Sequence, residues 1–166
     1  MVDGPRYLLD ANVFIEAARR YYAFDLAPRF WESLVNLARQ GTIRSIDRVK
    51  QELDKGKNHL AQWANQPFSH AFESTDDADI IRSYQKIMVW VQSQTQFSPA
   101  AKAEFADEAD GWLVAYAMTK GFVVVTHELP ADDAKRRVPL PNVCQAFDVA
   151  FVDTFEMLRA AKVQIT

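Results

Sequence analysis

Apolar positions along the chain follow two periods in turn, one suited to short buried strands and one to helices with a single apolar face. "YLL", Tyr7 to Leu9, reads as a first strand and ends directly on Asp10. From Asn12 to Tyr22, the residues Val13, Phe14, Ala17, Ala18 and Tyr21 recur at helical spacing and make one face. Pro28 suits the opening of a second helix, because the first turn needs no free N–H there. Phe30, Trp31, Leu34, Leu37 and Ala38 then repeat until Gly41 stops it. "TIRSI", Thr42 to Ile46, alternates as a second strand would, and Asp47 stands where an N-cap of "RVKQEL" belongs.

The second half repeats the theme. A helix is expected over Asn58 to Asn65, carrying Leu60 and Trp63, and the longest one over Asp76 to Gln94. Ser98-Pro99 reads as another helix start. Asp107 to Lys120 is an amphipathic helix closed by Gly121, and "FVVVT", Phe122 to Thr126, is a continuous apolar run typical of an interior strand buried on both faces. A polar, basic loop spans Asp132 to Arg137, "VPLPN" reads as a Pro-bounded turn, and a last helix covers Thr154 to Ala161. Strands alternating with helices predict an α/β fold with a parallel sheet covered by helices.

Composition narrows the class without changing that picture. The 166 residues fit one domain, 1–166, with no repeat or linker, and 49% apolar content against 25% charged is enough for a sizeable core. Net charge is −3, which argues against holding nucleic acid through overall positive charge, yet leaves room for a nuclease that gathers carboxylates around metal and grips phosphate locally. The single Cys144 forms no internal disulfide or Cys-based zinc site, and reads as a small buried hydrophobe. No apolar run approaches the roughly 20 residues that cross a bilayer, and "MVDGPRY" lacks a secretory apolar segment. The expectation is a cytoplasmic protein away from membranes.

Candidate chemistry sits at the strand ends. In open parallel sheets ligands bind beyond the carboxyl ends of strands, where Asp10 and, two residues past "FVVVT", Glu128 are placed. Glu52, just after the second strand, and Asp110, in the first turn of the Asp107–Lys120 helix, lie near the same edge. Four carboxylates brought together repel and raise each other's pKa unless a cation neutralises them, so convergence predicts Mg²⁺ or Mn²⁺ on oxygen ligands. Each residue also has a plainer reading. Asp10-x-Asn12 fits an N-cap pair, Asp107 and Asp110 fit an N-cap and its N3 acid, and Glu52 and Glu128 fit solvated surface charges.

The combination "LLDANVFI", "VKQEL" and "ADGWLVAYAMTKGFVVVTHE" resembles the PIN-like nuclease superfamily. "RRYY", "RFW" and "VPLPNVC" are similar to the bacterial PIN-like family DUF4411. The resemblance implies a three-layer α/β/α sandwich with a central, mainly parallel sheet. It implies Asp10, Glu52 and Asp110 as metal-binding acids, with Glu128 in a place where relatives carry Asp, and Asp107 as a further candidate. Asn12 is similar to the small polar residue that orients the first Asp, and Thr126 to a hydroxyl at the end of the fourth-acid strand. The implied activity is Mg²⁺- or Mn²⁺-dependent hydrolysis of RNA phosphodiesters, in a toxin whose antitoxin partner blocks the cleft. The helix starts near Asp47 and Asp107 would favour ionised acids and attract phosphate.

Arg19, Arg20, Lys50, Lys55, Lys57 and the run Lys135-Arg136-Arg137 are candidates for RNA phosphates, although charge runs are commonly solvated faces. His59, His70 and His127 form no metal motif, and only His127 lies near the expected site. Trp31, Trp63, Trp90 and Trp112 lie on apolar stripes and read as packing. PIN-like domains often pair, so a homodimer built on exposed aromatics such as Tyr21, Tyr22 or Trp90 is a further expectation. Rival readings are a PIN-like module without catalysis, a metal-dependent DNA nuclease, and a phosphatase of the haloacid dehalogenase type. The last would carry D-x-D where this chain has D-x-N.

Overall fold

Tyr7–Leu9 (β1) is buried at every position and occupies the middle of a five-stranded sheet, the place its unbroken apolar run requires. The computed structural model describes residues 4–164; the ends of the expected domain, 1–3 and 165–166, lie outside the described residues. Ile43–Ile46 (β2) and Phe72–Glu73 (β3) extend the sheet on one side of β1, and Val123–Val125 (β4) and Phe151–Val152 (β5) on the other. Every pairing is parallel. Since the chain builds outward from β1 in one direction and then returns to its other side, the strand order reverses between β1 and β4. Such a switch point opens a crevice at the carboxyl ends of those two strands. Leu9 pairs with Val125, so the next residues, Asp10 and Thr126, leave the sheet side by side.

Helices cover the two faces of the sheet, as expected of a three-layer α/β/α sandwich: Ala11–Glu16 (α1), Pro28–Arg39 (α2), Asp47–Asp54 (α3), His59–Asn65 (α4), Ala78–Ser93 (α5), Pro99–Asp107 (α6), Asp110–Lys120 (α7), Leu140–Ala146 (α8) and Thr154–Ala160 (α9). Among the described residues none is long and apolar enough to cross a membrane. Aromatic side chains lock α1, α2 and α4 together. Phe14 meets Phe68 edge-on at 5.5 Å, Trp63 stacks on Phe68 at 4.4 Å and Trp31 meets Trp63 at 4.8 Å. Burying a ring of this size contributes roughly 1.5–3 kcal/mol. Trp112 stacks on Tyr84 at 3.8 Å with the Arg48 guanidinium over it, and Trp90 meets Phe97 edge-on, so all four tryptophans pack as the apolar stripes predict.

Several expectations change. The Asn12–Tyr22 helix begins at Ala11 and becomes a π-helical turn over Ala17–Tyr21. Asp47 is the first residue of α3 and not its cap. Its carboxylate instead accepts from Thr75 N at 3.1 Å and Thr75 Oγ1 at 2.9 Å, tying α3 to the segment after β3. The Asp107–Lys120 helix is broken at Glu108 and Ala109, so Asp107 ends α6 and Asp110 opens α7. "VPLPN" is no simple turn: Pro139 precedes α8 and Pro141 lies in its first turn, where a missing N–H costs nothing. The two-residue strands β3 and β5 carry too few residues for a period to show. Gly121 closes α7 in the left-handed conformation, φ +77°, which a side chain resists.

Candidate functional site

The switch-point crevice is an acidic cleft of about 770 Å³. Six carboxylates line it, from Asp10, Glu52, Glu104, Asp107, Glu108 and Asp110, against two cations, Lys55 and Arg137. β1 delivers Asp10 and the first turn of α7 delivers Asp110. Both are buried, at 3% and 8% exposure. α3 supplies Glu52, whose Oε1 accepts from the Ala109 backbone N–H at 2.9 Å. That bond fixes the α6–α7 break and with it the place of Asp110.

The electrostatics follow from burial with little compensation. Asp10 is pushed up to about 7, first by burial and then by Glu128, while Thr126 and the Asn12 backbone pull it down. Thr126 donates from Oγ1 to Asp10 Oδ2 at 3.0 Å. Burial, followed by the charges of Asp10 and Glu128, holds Asp110 well above the usual carboxylate range. Among the described residues no side chain or backbone donor hydrogen-bonds the Asp110 carboxylate. Glu108 is pushed up to about 7, chiefly by burial and then by Glu104. Behind these acids the thiol of Cys144, fully buried on α8, rises to about 12, mainly through burial.

The site thus assembles Asp10, Glu52, Asp110 and Asp107, with Asp107 exposed at the rim. Glu128 is different. Half-buried after β4, it is near enough to raise Asp10 and Asp110, but it does not line the cleft. Its Oε1 accepts from Arg137 and, at 3.4 Å, from Leu140 N. Burial raises it and Arg137 lowers it. The side-chain contact to Asp10 comes from Thr126, not from Asn12, to which the resemblance gives the orienting role; Asn12 acts on Asp10 through its backbone, its side chain lying exposed in the cleft.

Of the cations, Lys55 and Arg137 reach the cleft, and Arg19 borders a small adjoining pocket that also touches Glu52. Lys50 is paired with Asp54 at 3.0 Å and Arg20 with Glu16 at 3.4 Å. Lys57, Lys135 and Arg136 do not line the cleft. Glu104 and Glu108 were not anticipated. Neither carries a local signal that it faces other acids.

Hard oxygen donors in excess over cations suit Mg²⁺ or Mn²⁺, and the raised carboxyls are the mark of negative charge lacking a counterion. Among the described residues no three His, Cys, Asp or Glu side chains form a ready-made ion cage. Mg²⁺ does not require one, since it commonly takes one or two carboxylates and completes its shell with water and substrate phosphate. The donor set therefore fits such an ion.

A family model described as Domain of unknown function (DUF4411) matches residues 7–165. No curated protein matches the chain. Among solved structures, the crystal structure of VapBC2 from Rickettsia felis bound to a DNA fragment from their promoter is similar over 89% of this chain and 97% of the matched one. The TM-score is 0.52 at 15% identity, a likeness of fold.

Proposed function

The chain belongs to the DUF4411 family, and from that footing we propose that it is a cytoplasmic, metal-dependent endoribonuclease of PIN-like type. The observation that supports this reading most is the pairing of Asp10 and Asp110. Two buried carboxyls, both raised, face one cleft with Glu52 beside them. A fold gains nothing in stability from such an arrangement unless a cation joins it.

In this reading Asp10 and Asp110 hold Mg²⁺ or Mn²⁺, with Glu52 completing the acidic wall. When bound, the ion supplies positive charge for the phosphoryl oxygens and lowers the pKa of water beside them. Thr126 and the Asn12 backbone keep Asp10 turned toward the cleft and stabilise its ionised form. Lys55 and Arg137 take the RNA phosphates on either side of the scissile bond, and Glu128 fixes Arg137 at the rim. The resemblance to PIN-like toxins supports a toxin role, with an antitoxin placing a basic side chain among the six acids.

Cleavage of labelled single-stranded RNA and DNA with Mg²⁺, Mn²⁺ or EDTA tests the reading, with Asp10→Asn and Asp110→Asn as controls. RNA cutting that needs the ion and both acids is expected. Variants that cut as well as the parent, or a parent inert in every metal, would remove the nuclease assignment.

A further inference from the structure

Beside the acidic cleft, at the same edge of the sheet, the chain exits of three neighbouring strands bring together Tyr21, His127 and Phe155. Tyr21 ends the π-helical turn that follows β1 and α1, His127 is the second residue after β4, and Phe155 lies in the first turn of α9 after β5. The Tyr21 ring meets Phe155 edge-on at 5.9 Å and lies 5.9 Å from the His127 ring. His127 is held in place, sharing a 2.9 Å hydrogen bond between Nε2 and Thr154 Oγ1. The His127 ring is therefore a fixed neighbour, and Tyr21 remains 52% exposed, an unusual state for a ring with so many aromatic neighbours. His127 is one residue from Thr126, the hydroxyl that holds Asp10.

Both signs of charge border it: Asp153 and Glu156 lie within two residues of Phe155, and three arginines stand close by in the chain. Arg159 lies four residues after Phe155 on α9, hence on the same helix face, and is exposed. Tyr22, next in the chain to Tyr21, is raised by burial and lowered by the charge of Arg159. Arg19 and Arg20 immediately precede Tyr21, with Arg20 held only loosely by Glu16 at 72% exposure. An exposed ring on a fixed support, flanked by arginines, is the arrangement that takes unpaired bases and their phosphates.

We propose that Tyr21, supported by His127 and Phe155, is a stacking platform for an unpaired nucleobase of RNA whose backbone continues into the acidic cleft, with Arg159 on the adjoining phosphate. The proposal rests on the ribonuclease reading for the identity of its ligand. It makes the preferred substrate single-stranded on that side of the scissile bond, since a base inside a duplex has no free face to offer.

The test uses the full chain carrying Asp10→Asn, in EDTA, with a fluorescent single-stranded RNA oligonucleotide and its duplex. Adding Tyr21→Ala is expected to weaken single-strand binding about tenfold and leave duplex binding unchanged, while Tyr21→Phe stays within about twofold. In the active protein, Tyr21→Ala raises KM for single-stranded RNA with kcat held. Equal single-strand binding by the alanine variant overturns the platform. So does a fall in molecular mass by sedimentation, which would make the surface a contact between copies. If the parent never cuts RNA but Tyr21 still governs binding, the platform stands and the nuclease reading fails.

Discussion

Thr126 donates its hydroxyl to Asp10 Oδ2 across 3.0 Å, joining residues 116 positions apart at the point where β1 and β4 leave the sheet. The bond stabilises the ionised carboxyl against burial, which pushes the other way. Thr126→Val keeps the shape and loses the donor. It is expected to weaken Mn²⁺ binding by calorimetry and to lower kcat/KM by roughly ten- to a hundredfold, the range usual for a residue that orients a ligand. Thr126→Ser keeps the donor and most of the activity.

Stability of the cation-free protein should fall as pH rises through neutrality. Asp10 moves from its ordinary 3.8 up to about 7 on folding. A raised acid contributes stability that is complete below the lower value and is lost as pH climbs through the higher, at about 1.4 kcal/mol for each unit between them. Urea denaturation in EDTA is expected to give a lower unfolding free energy at pH 8 than at pH 5. Asp10→Asn flattens the difference without abolishing it, because Glu108 also titrates near 7. Mn²⁺ at pH 8 restores what the parent lost, and a parent equally stable at both pH values in EDTA would contradict the uncompensated cluster.

Arg137 and Glu128 form one unit at the rim, an ion pair at 2.5 Å with the guanidinium 57% and the carboxylate 14% exposed. Arg137→Ala is expected to raise KM for RNA roughly ten- to a hundredfold with a smaller change in kcat. Glu128→Gln retains an oxygen for Arg137 and for Leu140 N and should be mild. Glu128→Ala releases the guanidinium, and the double variant Glu128→Ala, Arg137→Ala should bind RNA no worse than Arg137→Ala alone. Full additivity of the two effects would show that they act apart.

Gly111, next to Asp110, is tightly enclosed: a Cβ would lie 3.0 Å from Tyr84 and 3.1 Å from Phe105, so both rings would have to give way slightly. Gly111→Ala should cost about 1–3 kcal/mol, read as a lowered midpoint in thermal unfolding. Because the strain falls on the first turn of α7, activity is expected to drop more than the lost stability explains at temperatures where the variant is still folded.

The sequence carried the strands that matter and the acids at their ends because both leave local marks. An apolar run stopping at a carboxylate, as at Leu9 and Asp10, is legible in four residues, and Gly121 announces the end of α7. What it hid depends on contacts distant in sequence. The α6–α7 break is maintained by Glu52 from α3, so Asp107 to Lys120 reads as one helix when taken alone. Asp47 looks like a cap until its partner Thr75, 28 residues away, is in place. The prolines around Leu140 argue for a turn and are tolerated only because they fall at the start of α8. Glu104 and Glu108 join the cleft through the angle at which α6 meets α7, which no period in the chain encodes.

The buried thiol on α8 has a practical consequence. Cys144 is the only cysteine in the chain, fully enclosed and with its proton held to about 12, so at neutral pH it offers maleimides and other alkylating reagents almost no thiolate. A single cysteine introduced at Arg136, exposed beside the cleft rim, would then be the one reactive thiol without any change to the native residue. A dye attached there would report the arrival of RNA or of a covering protein at the cleft in real time, whether or not a phosphodiester is cut.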